Sequence, residues 1–365
     1  MNQKISTVQA TLLVMSTILP TAILTVPSHV VRFSKQDSWI SIVLATMFGV
    51  AVAALIALIC RTNPNPSFLE WLRSRLGRTL STGIGLLLTY YYFSTGLIIL
   101  REFINFLSEN VLTLTPASVL IIVSVAVAMY GASQGIEVIA RINLVVVMAA
   151  LLFFTVMALL LLKEVHPKLL LPIWDQPWHL IVQGSLIPAS WLSEVAIVLL
   201  IAPFLTHPQH AGKVGVTGVV LAGAGLGVVV LSAISLFGPH LIQHMAFPTF
   251  NMIGIIQLGR FLERVDLLFI SIWISMMYVK ISIFMFGAFH CFVQTFRVRS
   301  EKPFLFALGL TAILSSLFSW AKTPLFNYFN AYALVPLLLT FNVILPFIIW
   351  LCLRMTSPGS MKGKS

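Results

Sequence analysis

The chain has 365 residues, 59% of them hydrophobic and 9% charged, with a formal net charge of +11. A soluble domain carries about 25% charged residues, so the composition is that of a polytopic membrane protein with no hydrophilic block for a separate soluble domain. The cations lie between apolar runs, which points to basic cytoplasmic loops and away from nucleic acid.

Runs of about 20 apolar residues read as spanning helices. Ten are predicted, near 8–31, 38–60, 80–100, 115–136, 142–162, 180–205, 213–237, 265–296, 303–320 and 331–353, giving an all-α fold in one transmembrane domain, 1–365. The first run is too long for a signal peptide and lacks a small-residue cleavage site before the next polar loop, so it is expected to remain in the mature protein.

That first run contains ILPTAIL at 18–24, and the sixth contains LIPASWL at 186–192. Each sets a proline beside small hydroxyl residues, Pro20 with Thr21 and Pro188 with Ser190, about half a chain apart. A proline in mid-helix removes a backbone hydrogen bond and crowds the preceding turn. In a bilayer the freed groups must be met by protein or by a water-lined cavity. Interrupted apolar segments at matching places in two halves point to a transporter-type binding site. Helical bonding is therefore expected to break near Pro20 and Pro188, with both breaks bordering one cavity near mid-membrane. Ser16, Thr17, Thr21 and Ser190 offer hydroxyls there, or else bond to their own helix backbone.

Between the second and third runs, 67–78 reads SFLEWLRSRLGR. Ser67 and Glu70 fit a capping box, Phe68, Leu69, Leu72 and Leu76 share a face, and Gly77 suits a helix end. A short helix on the inner membrane surface is predicted. The third run holds Tyr90, Tyr91 and Tyr92, which cannot all face one way. Glu137 and Arg141 are spaced for a local i, i+4 ion pair. Residues 239–264, with Pro239 and Pro248, form the longest outer connection and are expected to fold as a cap. His240 and His244 there lack a third ligand, so no metal site is predicted.

Two charged residues sit deep in the spans, Glu194 in the sixth and Lys280 in the eighth. Such charges usually pair or face a cavity. They form either a structural ion pair or part of a cavity or proton pathway. Trp191, just past the sixth-helix proline, is placed to close over a ligand. With the N-terminus in the cytoplasm, the inner segments hold Lys4, Arg61, Arg73, Arg75, Arg78, Arg141, Lys213, Arg297, Arg299, Lys302, Arg354, Lys362 and Lys364. Fewer cations fall outside, among them Arg260, Arg264 and Lys322, and acids such as Asp37, Glu102 and Glu263 offset them. The asymmetry places both termini in the cytoplasm. Cys60, Cys291 and Cys352 are too scattered for a disulfide framework or a zinc site. No phosphate loop, HExxH or GxSxG elbow is present, so no enzyme and no cofactor is predicted.

The run FLERVDLLFISIWISMMYVKISI at 261–283 resembles the outer cap and eighth helix of endospore germination permeases, the B subunits of GerA-type germinant receptors in the amino acid–polyamine–organocation superfamily. Other matches follow in the family's order: LTVP at 24–27, DSWIS at 37–41, PSFLEWLRSRLG at 66–77, TP at 115–116, GIEVIAR at 135–141, SEV at 193–195 and APF at 202–204. The resemblance implies a LeuT-like five-plus-five inverted repeat, here pseudo-repeats near 8–162 and 180–353, with broken first and sixth helices. It also implies a multi-pass place in the spore inner membrane beside an A-type and a lipoprotein C-type subunit. Family members commonly carry Gly-x-Gly in the first-helix break, where this chain has Pro20, Thr21 and Ala22. That departure narrows the site or alters what it binds.

The expected function is sensing a small germinant, an amino acid, at the midplane. Thr21, Ala22 and Ile23 are expected to supply backbone groups for a carboxylate, with Pro20 beside them in the ligand-binding stretch. Ser190, Trp191 and Glu194 face the ligand's other end, and Tyr91 is the tyrosine that the resemblance places at the cavity. Lys280 is expected to replace the cation held between the first and eighth helices of sodium-coupled relatives of the fold, bonding carbonyls near Pro20 and Glu194. A proton-coupled amino acid transporter and a structural subunit with a vestigial cavity are the alternatives.

Overall fold

The structure is a computed structural model of the chain and describes residues 3–62, 67–255, 265–298, 301–319 and 323–355. Its regular structure is helical apart from one isolated parallel bridge between Ile5 and Leu205. The helices are α1 (Thr7–Ser34), α2 (Ser38–Arg61), α3 (Phe68–Phe106), α4 (Ala117–Gln134), α5 (Ile136–Leu161), α6 (Trp178–Leu192), α7 (Val198–Ile201), α8 (Ala211–Ile242), α9 (Pro248–Gly254), α10 (Val265–Phe296), α11 (Glu301–Phe318), α12 (Thr323–Tyr332), α13 (Leu334–Leu339) and α14 (Leu345–Met355). Among the described residues nine segments are long and apolar enough to cross a membrane. The first, Thr7–Arg61, contains both α1 and α2 joined by one 3₁₀ turn, so the nine segments account for the ten expected crossings. Arg260, Phe261–Arg264 of the family match, Arg299, Lys322, Lys362 and Lys364 lie outside the described residues.

Local chemistry sets the helix ends. Ser6 and Gln9 form a reciprocal capping box at α1, a pattern the sequence reading passed over. Ser67 Oγ accepts from the Glu70 amide at 3.4 Å, one half of the predicted box. Gly77 adopts φ 80°, ψ 172° inside α3, a conformation glycine enters without a Cβ penalty. It separates the amphipathic turns 68–76, with Phe68, Leu69 and Leu72 buried, from the spanning part. Glu137 and Arg141 pair at 2.6 Å as expected.

The prolines have different outcomes. The first helix does not break at Pro20: α1 runs unbroken from Thr7 to Ser34 with both Pro20 and Pro27 inside it. Proline's fixed φ is compatible with a helix, and its direct cost is one missing N–H. Neighbouring groups compensate. Pro27 cannot donate to the Ile23 carbonyl four residues back, and Thr249 Oγ1 from α9 donates to that carbonyl instead. Likewise Pro239 cannot donate to the Ser235 carbonyl, which accepts from the His166 amide at 2.8 Å. The sixth crossing does break. Five residues past Pro188, α6 gives way to a 3₁₀ segment, Ser193–Ile197, then to the single turn α7 and a second 3₁₀ turn, Ala202–Phe204.

The bundle packs tightly. The helix α8 lies against α1 and α2, and α10 lies along α3. Small residues permit the approach: a Cβ on Gly287 of α10 would meet the Tyr92 ring of α3 at 2.9 Å. At the end of the bundle carrying the N-terminus, the Ile5 amide donates to the Phe204 carbonyl at 2.8 Å and the Thr206 amide to the Ile5 carbonyl at 3.0 Å. The chain ahead of α1 is thereby tied to the exit of the sixth crossing. Gln3 Oε1 caps the Ile136 amide at 3.0 Å, next to the positive-φ Gly135.

At the opposite end Asp37 does more than offset charge. It is fully buried, and its carboxylate accepts from the backbone amides of Trp174 at 2.8 Å and Gln176 at 3.0 Å. This fastens the loop before α6 to the turn between α1 and α2. Asp37→Ala strands two amides and is expected to lower stability by about 1.5–3 kcal/mol, read as a fall in the thermal unfolding midpoint of the purified protein in detergent.

Candidate functional site

The centre of the bundle is organised by one ammonium. Lys280 projects from α10, and its Nζ donates to Thr21 Oγ1 of α1 at 2.7 Å and to Glu194 Oε2 of the sixth crossing at 2.9 Å. The Trp191 ring lies beneath the same Nζ, 4.6 Å from ring centroid to nitrogen, a cation–π arrangement that is worth most when desolvated. Lys280 and the Glu194 side chain are fully shielded. The expected carbonyl partners on α1 are replaced by a hydroxyl, that of Thr21.

A second link grips the same stretch. Trp273 Nε1, two turns from Lys280 on α10, donates to the Pro20 carbonyl at 2.7 Å. Its ring packs on Phe103 and Phe106 of α3 at 5.6 and 4.6 Å. Thus α10 holds Pro20 and Thr21 at consecutive positions, and α9 holds Ile23. Sequence reading missed Trp273 and Thr249. A tryptophan in an apolar run carries no positional signal, and the need of Ile23 for an outside donor was readable only from Pro27 four residues on.

Tyr91 is the inward-facing member of the tyrosine triplet together with Tyr92, while Tyr90 is 58% exposed. Its ring stacks on Phe341 with centroids 5.1 Å apart, and its hydroxyl faces Asn342. The Asn342 amide in turn donates to Ser193 Oγ at 3.2 Å, at the point where α6 gives way. The π-turn at Thr340–Ile344 presents Asn342 there.

Other predicted site residues fall differently. Ser190 Oγ donates to its own helix at Ile187 (2.7 Å), and Thr17 Oγ1 donates to Val14 (2.7 Å). Each offers its proton to a carbonyl one turn back. Ala22 and Ile23 lie inside continuous helix, so their amides are not released for a carboxylate. Thr21, Ala22, Ser190, Trp191, Glu194 and Lys280 are all buried. The site is occluded in this conformation by the protein's own side chains.

Several buried polar atoms among the described residues lack partners, and two of them lie on the proline-bearing crossings. Glu194 Oε1, the oxygen not used by Lys280, has no hydrogen-bond partner, and neither has Ser16 Oγ. A buried carboxylate oxygen left without a donor is costly. A third charged residue belongs to this group. Glu102, expected in an outer loop, lies within α3 and accepts from Asn330 Nδ2 of α12 at 3.0 Å, where its carboxylate feels Lys280 and Glu194. The signal was present in the sequence: the apolar run resumes after Arg101-Glu102 with Phe103, Ile104 and Phe106, so the helix does not end at residue 100.

The fold is shared with solved transporters. A Na+-coupled sialic acid symporter matches with a TM-score of 0.65 and 11% identity, covering 94% of this chain and 80% of that one. MhsT, solved in complex with L-phenylalanine, matches with a TM-score of 0.62 and 13% identity over 98% of this chain and 99% of that one. The chain is therefore a multi-pass membrane protein with the LeuT-like fold. Residues 4–324 match the family described as spore germination protein, and the chain belongs to that family. Relatives include spore germination protein XB of Bacillus anthracis, 24% identical over 69% of this chain and 71% of that protein. Spore germination protein YndE of Bacillus subtilis is 22% identical over 85% of each, and spore germination protein B2 of the same species is 22% identical over 95% of this chain and 94% of its own.

Proposed function

We propose that the chain is the membrane-embedded, germinant-sensing subunit of a spore germinant receptor, and not an enzyme. Its ligand is an amino acid held at mid-membrane between α1, α3, the sixth crossing and α10. The observation that carries this reading is the Lys280 ammonium joining Thr21 to Glu194 across the two proline-bearing helices. The free Glu194 oxygen beside it suits an incoming amino group. Binding requires α1 and the sixth crossing to part, and a ligand shifts that equilibrium only by its differential affinity for the open and occluded forms. In this reading the chain sits in the spore inner membrane with both termini cytoplasmic. It is one transmembrane domain of two pseudo-repeats, and A-type and lipoprotein C-type subunits read its conformation.

Binding of an amino acid panel to purified protein, paired with uptake into proteoliposomes, tests the proposal. Saturable binding without flux is expected. Flux assigns the chain to proton-coupled transport, and absence of both assigns it a structural role. Tyr91→Phe is expected to weaken the germinant response, because one hydrogen bond to a charged group contributes about 1.5–3 kcal/mol. An unchanged dose response in spores with normal protein levels eliminates the hydroxyl role.

A further inference from the structure

On the face of α1 turned away from Lys280 lies a cavity of about 450 Å³. Its floor is α1 itself, at Met15, Leu19 and Ile23, each at most 7% exposed. Its walls are α5 and α8, where the rim residues Leu151 (47% exposed) and Val228 (56% exposed) face outward. At one end Met252 and Thr249 of α9 close it. The cavity thus opens sideways between two membrane-spanning helices and reaches the helix that carries the central site.

We propose that this crevice is a binding site for one acyl chain of a membrane phospholipid, a site separate from the germinant site and independent of its assignment. Three observations select that occupant. The opening lies between two segments long and apolar enough to span the membrane, so the liquid at its mouth is hydrocarbon. The lining is almost wholly apolar, and two of its hydroxyls are committed to backbone carbonyls, Thr155 Oγ1 to Leu151 at 2.7 Å and Thr249 Oγ1 to Ile23. No polar ligand finds a donor in Thr155 or Thr249. The volume also falls within the roughly 300–1,000 Å³ of small-molecule pockets. An apolar cavity of this kind excludes water, and left empty it forfeits the dispersion contacts of its lining atoms.

The floor gives the site a consequence. Leu19 and Ile23 flank Pro20 and Thr21, the two positions held from the other side by Trp273 and Lys280. An acyl chain in the crevice backs α1 against α10, and removing it gives α1 room to move away from Lys280. The site thereby makes the position of α1 sensitive to the surrounding lipid.

The test uses the full chain in phosphatidylethanolamine–phosphatidylglycerol vesicles doped with phosphatidylcholine bearing a diazirine along one acyl chain. After photolysis, adducts are mapped by mass spectrometry. Labels deep in the chain are expected on the floor residues Met15, Leu19 and Ile23 as well as on the rim, whereas labels next to the headgroup are expected to leave the floor unlabelled. Ala158→Trp and Ala224→Trp, both at lining positions, are expected to abolish the floor adducts and retain those at Leu151. Floor residues unlabelled in the wild type at every diazirine depth overturn the proposal without recourse to variants. Floor adducts that persist in a folded, filled variant overturn it as well.

Discussion

Lys280→Met is expected to abolish the germinant response and to destabilise the protein by about 3–5 kcal/mol, the cost of leaving one member of a buried ion pair alone. Methionine keeps the bulk of the stem but supplies no donor to Glu194 Oε2 or Thr21 Oγ1. Glu194, with its other oxygen already unpartnered, is then a buried carboxylate without a counter-charge. Adding Glu194→Gln removes that charge and is expected to restore most of the lost stability, measured as thermal unfolding in detergent. The germinant response is a separate readout. If the pair is only structural, the double variant recovers both. If the ammonium holds α1 to the sixth crossing as part of sensing, stability returns and the response stays impaired. Normal germination of Lys280→Met spores, or a wild-type response tuned by sodium alone, defeats the role assigned to Lys280.

Trp273→Ala is expected to have an effect of the same size, about 3–5 kcal/mol for removing a large buried aromatic. The indole fills the space beside Phe103 and Phe106 and donates to the Pro20 carbonyl. Trp273→Phe separates the two contributions. It keeps most of the packing and leaves the carbonyl without that donor, for about 1–3 kcal/mol. Trp273→Phe behaving like wild type in both unfolding midpoint and germinant response removes the bond from the account of how α1 is held.

How much of this was legible in the sequence follows from which features are local. The ten crossings were readable because a spanning helix must be apolar over about 20 residues whatever it packs against. The kink at Gly77, the amphipathic turns before it and the Glu137–Arg141 pair were readable for the same reason, since each depends on residues within a turn or two. Glu194 and Lys280 stood out because charge is rare in such runs, and an ion pair between them was one of two readings the sequence left open.

The fate of the prolines was not local. Pro20 and Pro188 sit in similar strings, yet α1 stays helical while α6 yields to a 3₁₀ segment. Both lose one helical hydrogen bond by their own chemistry. What differs is the surroundings: α1 is gripped around Pro20 by Trp273, Lys280 and Thr249, groups that lie more than 200 positions away in the chain. Ser190 takes the second of the two roles the sequence left open, because a hydroxyl chooses between its own backbone and a cavity according to what faces it. The helical place of Glu102 was legible in the apolar run that resumes at Phe103, but its partner, Asn330 of α12, was not. The sequence by itself determined that the chain spans a membrane many times and carries a lysine and a glutamate deep within its spans. Only the packing of α10 and α9 against α1 decided that the first helix remains whole and the site occluded, because the donors that stabilise those carbonyls and hydroxyls come from distant helices.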